Sequence, residues 1–305
     1  MFWLIIIILA YFLFALVSLG DKYILSGPPN PKIYVFYGGV LGILVLVLIP
    51  FVGFFVPGIL QMILCLLTGV IFVFALLGLF SGLERFEASR IIPAVGGFLP
   101  LFSLALIYLF SEGKEALGLK EILAFIPLVL GSVLVTYNPS KKVSFDSLRI
   151  SVIAAFLFAL SFVLTKYVYL ILPFWTGFIW IRIGVFMTAL LFIFFKEVRR
   201  EIFSGASAFS KKTGIFFILN QGVGAGAFIM QNWAIALVGL AYLPIINALQ
   251  GLQYAFLFVL ATLISFRFPK ALEEKISRKV IFQKLLAILF IGFGLTFLAF
   301  NITMG

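Results

Sequence analysis

No histidine occurs anywhere in the 305 residues, and there is one cysteine, Cys65. A single cysteine excludes an internal disulfide. Cys65 lies inside an apolar run, where it reads as a small buried hydrophobe. Charge is also scarce: Asp, Glu, Lys and Arg make up 11% of the chain, against about 25% in a soluble domain. There is no cluster of metal-ligand residues, and no phosphate-binding glycine loop beside a Walker-type lysine and Ser/Thr. No acid, base and nucleophile converge as a membrane enzyme would require. The chain is therefore expected to be no enzyme, to hold no metal and to need no cofactor. No Asp, Glu or His lies deep in any apolar run, so a mid-membrane proton relay is not expected either.

What is present is apolar. Hydrophobic residues make up 64% of the chain, 39 of them phenylalanine, and the mean hydropathy is +1.26. A soluble protein of this length could not hide such a surface from water. The net charge of +11 would fit a nucleic-acid binder, but the basic residues sit in gaps between apolar runs. The expected partners are thus a lipid bilayer and a small-molecule substrate, with no nucleic acid.

A bilayer core of about 30 Å needs roughly 20 apolar residues per helix. Ten spans are predicted on that ruler: about 2–24, 32–52, 57–80, 87–110 and 121–138, then 148–171, 174–195, 214–237, 240–265 and 281–303. Spans of this length must be helical, because backbone groups in lipid find no water. The first lacks a basic leader and reads as a retained helix. Polar stretches run from Lys196 to Lys212 and from Arg267 to Lys284, and neither is long enough for a domain.

The chain repeats itself. Phe12-Leu-Phe-Ala-Leu16, followed by Lys22-Tyr23, recurs as Phe156-Leu-Phe-Ala-Leu160, followed by Lys166-Tyr167. A five-span unit leaves the bilayer on the side opposite its entry, so its second copy inserts upside down. The expected fold class is an all-α membrane protein with ten transmembrane helices arranged as two inverted five-helix repeats. The repeats occupy residues 1–138 and 148–305, with a polar linker at 139–147 around Pro139. Inverted repeats rocking about a midplane site are the usual basis of alternating access. Topology follows from the 22 Lys and Arg residues. Arg182 lies within a span, Lys114, Lys120 and Lys166 fall in even-numbered connections, and the other 18 fall in odd-numbered ones. By the positive-inside rule both termini lie outside the cytoplasm.

Several short stretches together carry a family likeness: Ala88-Ser89, Pro100-Leu-Phe, Leu109-Phe-Ser-Glu112 and Gly131-Ser-Val-Leu-Val. With the five-plus-five count, the chain resembles an EamA-type transporter of the drug/metabolite transporter superfamily along nearly its whole length. In the second half Gln253 stands roughly where Pro100 stands in the first, and no acidic residue near Ser265–Arg267 replaces Glu112. The resemblance implies a permease of the cytoplasmic membrane, and it implies cytoplasmic termini, opposite to the charge count.

Polar residues at membrane depth are costly and mark cavities or partners. In the ninth span Asn247, Gln250, Gln253 and Tyr254 fall within an arc of about 120°. That face reads as a cavity wall or as bundle-holding hydrogen bonds. In the eighth span Asn220, Gly224 and Gln231 share a face, with Asn232 beside it, and Gly222 and Gly226 form a small-residue packing pair. Arg182 lies about 12 Å into the seventh span. It reads as a clamp for an anionic group or as a snorkelling side chain flanked by Trp175 and Trp180. Lys22 and Lys166, related by the repeat, are candidates for opposite mouths of a cavity or for interfacial anchors. Glu84, Arg85, Glu87 and Arg90 read as a solvated turn. Pro93, Gly96, Gly97 and Pro100 in the fourth span, and Pro244 and Gly251 in the ninth, predict a pair of interrupted helices at the site. The expected function is transport of a small polar metabolite, such as an amino acid or other carboxylate, by a monomer or homodimer. The alternative is a structural or receptor-like membrane subunit with a transporter-derived fold.

Overall fold

A computed structural model describes residues 2–25, 31–86, 88–137, 144–203, 211–267 and 278–304. It is helical, without a strand among the described residues. The helices are α1 (Phe2–Leu25), α2 (Pro31–Leu41), α3 (Ile59–Arg85), α4 (Ala88–Phe110), α5 (Leu119–Thr136) and α6 (Phe145–Ile171). They continue as α7 (Phe174–Leu191), α8 (Lys196–Phe203), α9 (Lys211–Leu237), α10 (Leu243–Ala248), α11 (Gly251–Arg267) and α12 (Arg278–Met304). Ten helical segments are long and apolar enough to cross a bilayer, and the chain is a multi-pass membrane protein. Exposed large side chains such as Leu60, Phe194, Leu289 and Phe293 form its outer surface. In lipid such a surface is solvated, so close packing and interhelical hydrogen bonds, rather than water exclusion, hold the helices together.

Two of the spans depart from regular α-helix. The second tightens at Gly42 into a 3-10 helix of 10 residues, Gly42–Phe51, which contains Pro50. Runs of 3-10 helix beyond 3–4 residues are uncommon. Here the longer rise, about 2.0 Å per residue, stretches a short α2 across the bilayer. The ninth span breaks between α10 and α11. The Gln250 amide bonds the Asn247 carbonyl at 3.3 Å and the Gln253 amide bonds Gln250 at 3.0 Å, both at three-residue spacing. The matching break expected in the fourth span does not form: α4 runs unbroken through Pro93 and Pro100. The carbonyl facing the Pro100 ring belongs to Gly96, whose backbone can tilt away. Pro244, by contrast, lies in the first turn of α10, where a missing amide leaves no bond unmade.

Small residues set the closest helix crossings. A Cβ at Gly131 of α5 would lie 2.9 Å from the Ala287 carbonyl of α12, and one at Gly294 of α12 would lie 2.9 Å from the Ala124 carbonyl of α5. Gln283 of α12 adds hydrogen bonds to the terminal carbonyls of α5, to Leu134 at 2.9 Å and Tyr137 at 2.6 Å. Along α3 and α7, Gly69 and Gly184 bring backbone against backbone, so any side chain at either would collide with the other helix. Elsewhere α3 and α4 pack along α6, α9 and α11 pack along α1, and α10 packs against α4. The main core draws on α1, α4, α6, α9 and α10, with Tyr11, Ile107, Leu243 and Ile246 fully buried. α6 begins at Phe145, slightly ahead of the expected start, because the Ser144 hydroxyl accepts the Ser147 amide at 3.2 Å and Ser147 caps in return. The short α8 lies in the polar stretch after the seventh span. It is tied to α2 by the Lys32–Glu197 ion pair, 2.8 Å.

Candidate functional site

Arg182 is the charge whose setting decides most. Its guanidinium lies directly against Gly42, where any Cβ would collide with it. Its Cζ sits 5.1 Å from the centre of the Phe228 ring of α9. It is also within electrostatic reach of Tyr169 on α6. Depth can be read from α2. The 11 residues of α2 place Gly42 about 16 Å from one end of the span. The 10 residues of 3-10 helix place it about 20 Å from the other. The guanidinium is therefore near mid-membrane and turned inward, where snorkelling to a headgroup is out of reach. It is partly exposed, and no described carboxylate pairs with it. A fixed cation with several free donors, half-buried between helices, is suited to a carboxylate or phosphate.

Hydrogen bonds continue from this point along α9. The Tyr169 hydroxyl donates to Asn232 Oδ1 at 2.8 Å, and Asn232 Nδ2 donates to the Phe228 carbonyl at 2.8 Å. Gln231, one residue away, is buried toward α1, beside the Tyr11 hydroxyl. Tyr11 in turn donates to the Ile246 carbonyl at 2.8 Å. In a regular helix that carbonyl would take the Gln250 amide, which the break diverts to Asn247. Tyr11 thus satisfies the acceptor that the break frees, as backbone at this depth requires.

The four polar residues of the ninth span divide. Asn247 Nδ2 donates to Ser103 Oγ of α4 at 2.6 Å, while its Oδ1 is buried without a partner. Tyr254 is buried beside Gly96 of α4, which also faces Ser132 of α5. The Ser132 hydroxyl is likewise buried and unpaired. Gln253 Nε2 donates to Ser18 Oγ of α1 at 3.1 Å. Gln250 sits half-buried at the break itself. Asn247 and Gln253 therefore bond between helices, and the unpaired oxygens collect near the break. Pro93, Pro100 and Pro244 are buried in the same region.

Of the two repeat-related lysines, Lys166 is 2% exposed and donates to the Ala236 carbonyl in the last turn of α9 at 3.0 Å. A cation at a helix C-terminus is well placed for the helix dipole. The Lys22 side chain lies outside the described residues, as do Glu87 and the side chain of Arg90.

The two sides of the bundle around Arg182 are packed differently. Toward the face of the even-numbered connections, Cys65, Val168, Leu172 and Ile181 pack together. Trp180 there stacks on Phe54 and donates to the Phe55 carbonyl at 3.3 Å. α3 and α7 seal that side backbone to backbone. Toward the odd-numbered face α2 and α9 pack sparsely. They meet there through Tyr34, whose ring lies 5.6 Å from Phe217 and whose hydroxyl accepts from Gln221 Nε2 at 3.0 Å. Tyr11, Tyr34, Tyr169, Ser103 and Ser132 take part in this polar path, although periodicity did not single them out. A phenol or hydroxyl in an apolar run is the one signal the sequence offers, and it does not say which neighbour the group will find. Outside the path, an open groove of about 530 Å3 between α5 and α12 is lined by Leu123, Ile126, Leu289 and Phe293 and faces lipid.

No protein-family model matches the chain, and no curated protein matches it. Among solved structures 27 chains match. One, described only as a crystal structure of a protein, superposes with a TM-score of 0.70 at 13% identity, covering 97% of this chain and 97% of its own. That likeness is one of fold, from end to end of the chain.

Proposed function

We propose that the chain is an alternating-access transporter that moves a small anionic metabolite, such as an amino acid or other carboxylate, across the cytoplasmic membrane. The observation that carries this reading is Arg182: a half-buried guanidinium near mid-membrane, set between helices, with no described carboxylate beside it. A cation left so costs several kcal/mol unless something offsets it, and an anionic ligand does so in each cycle.

The EamA-type architecture of two inverted repeats is part of the proposal, and helix packing supports it. In the crossing of α5 and α12, Gly131 meets Ala287 and Ile291, while Gly294 meets Ala124 and Leu128. Adding 163 to each α5 number gives its α12 counterpart, so the two helices exchange places with one register. Contact numbers fall on one helix as they rise on the other, the antiparallel sense that inversion requires. Exchange of the halves also turns α3 against α7 into α9 against α2. The first pair is sealed through backbone and the second is bridged by side chains, an inequality that alternating access predicts between its two mouths.

The test is uptake by purified protein in liposomes, with a panel of labelled carboxylates, phosphates and neutral analogues. Arg182→Gln should abolish uptake of the anionic members and spare the neutral ones. Arg182→Lys should restore it in part, because a point charge lacks the two-pronged geometry. Uptake of no member of the panel, with the protein folded, would favour the structural-subunit alternative.

A further inference from the structure

The odd-face mouth holds a carboxylate for which substrate binding has no use. Asp21 stands in α1 one turn before its end at Leu25. Its Oδ1 accepts from the Tyr34 hydroxyl of α2 and from Asn220 Nδ2 of α9 at 2.7 Å. The same Asn220 nitrogen reaches the Val17 carbonyl at 3.3 Å, and its amide is seated over Gly20, where any Cβ would displace it. Gln221 holds the Tyr34 hydroxyl from the other side. One carboxylate oxygen thus joins α1, α2 and α9 across the sparse side of the bundle. Among the described residues, Tyr34 is the titratable group facing Asp21 from α2, and α9 presents the neutral amides Asn220 and Gln221.

The donors identify the ligand class. Tyr34 and Asn220 aim hydrogens, not lone pairs, at Oδ1, an arrangement that holds an anion and is ill-suited to a metal ion. A proton is the ligand that would end it. We propose that Asp21 is a proton-binding site and that its occupancy opens the odd-face mouth. A proton from the odd-face water adds to the carboxylate and leaves a neutral acid. The two charge-assisted hydrogen bonds become ordinary ones, Tyr34 and Asn220 are released to water, and α9 parts from α2. Loss of the charge weakens the closed state by about tenfold or more. The proposal rests on the transport reading in one respect: it makes the side-chain-bridged mouth the moving one.

The test uses a cysteine behind the latch. Gly38 lies one turn deeper than Tyr34 in α2, and a Cβ there meets its nearest atom, Gln221 Oε1, at 4.0 Å, so Gly38→Cys is tolerated. In a Cys65→Ala background, its modification by an impermeant thiol reagent is measured from about pH 8 to about pH 5, normalised at each pH to the unfolded protein. The rate should rise about tenfold as pH falls, whereas Asp21→Asn should react fast and without pH dependence. A flat rate with Asp21 present, or a titration that persists in Asp21→Asn, overturns the assignment. Should Asp21→Asn not accumulate, Tyr34→Phe takes its place. Losing one donor should raise labelling at high pH and move the titration to higher pH, and an unchanged profile overturns the proposal equally. No substrate enters the assay. Labelling that titrates in a protein without transport would sink the transport reading alone, and transport with a flat reporter would sink this one alone.

Discussion

Replacing Arg182 by glutamine should stabilise the ligand-free protein and at the same time remove its response to anions. On insertion scales a basic side chain at the centre of a span costs about 2.5–3.5 kcal/mol. The Phe228 ring, 5.1 Å away, returns about 0.5–2 kcal/mol of that through the cation–π contact. Partial exposure of the side chain lowers the remainder further. A gain of about 1–2 kcal/mol is therefore expected on neutralisation, since no ion pair is broken. Binding should move the other way. Two charge-assisted hydrogen bonds to a carboxylate contribute about 1.5–3 kcal/mol each, so the variant should bind anions at least tenfold more weakly. Melting in lipid nanodiscs, with and without a panel of carboxylates and phosphates, reads both effects. The wild type should melt lower than Arg182→Gln alone and gain from some member of the panel, while the variant gains from none. A variant that melts lower than wild type would refute the reasoning, because it would show that Arg182 is satisfied within the protein.

Asn247→Ala should lower the melting temperature, because it removes the 2.6 Å bond to Ser103; such interhelical bonds contribute about 0.6 kcal/mol on average and up to about 1.7, and an unchanged melt would return Asn247 to the cavity wall. Gly184→Val should hold α3 away from α7 and increase thiol access from the even face, read with a cysteine at Leu64. Lys166→Ala should destabilise by about 1–3 kcal/mol by leaving the Ala236 carbonyl unpaired, and Lys166→Met should cost less because it keeps the packing. The hydrogen bond from Lys32 holds the Glu197 carboxyl below its ordinary range. Glu197 should therefore stay ionised through neutral pH, and the tie from α2 to α8 should loosen only as pH falls below the ordinary glutamate range, as read by hydrogen exchange in α8. A cysteine at Ser204, which lies outside the described residues, should be shielded from impermeant reagents in intact cells if the charge count sets the orientation.

Much of the architecture was legible because a bilayer leaves few choices. Runs of roughly 20 apolar residues have to be helices when no water can satisfy the backbone, and all ten expected spans are present as such helices. The breaks were less legible. Proline marks a lost donor, yet α4 carries Pro93 and Pro100 without interruption, and the ninth span breaks at Leu249–Gln250, which contain no proline. Whether a helix breaks depends on what meets its freed groups, and the partner of Ile246 is Tyr11, 235 residues away.

Composition and spacing by themselves determined that the chain is helical, multi-pass and apolar on its surface, and that Arg182 lies inside a span. Tertiary structure alone decided what that arginine faces. A side chain's depth along its own helix follows from counting, but its partners come from other helices. Gly42, Tyr169 and Phe228 are brought to Arg182 by packing that no periodicity encodes. The same holds for Asp21, which in sequence is an acid near a helix end and in the fold is the group joining α1, α2 and α9.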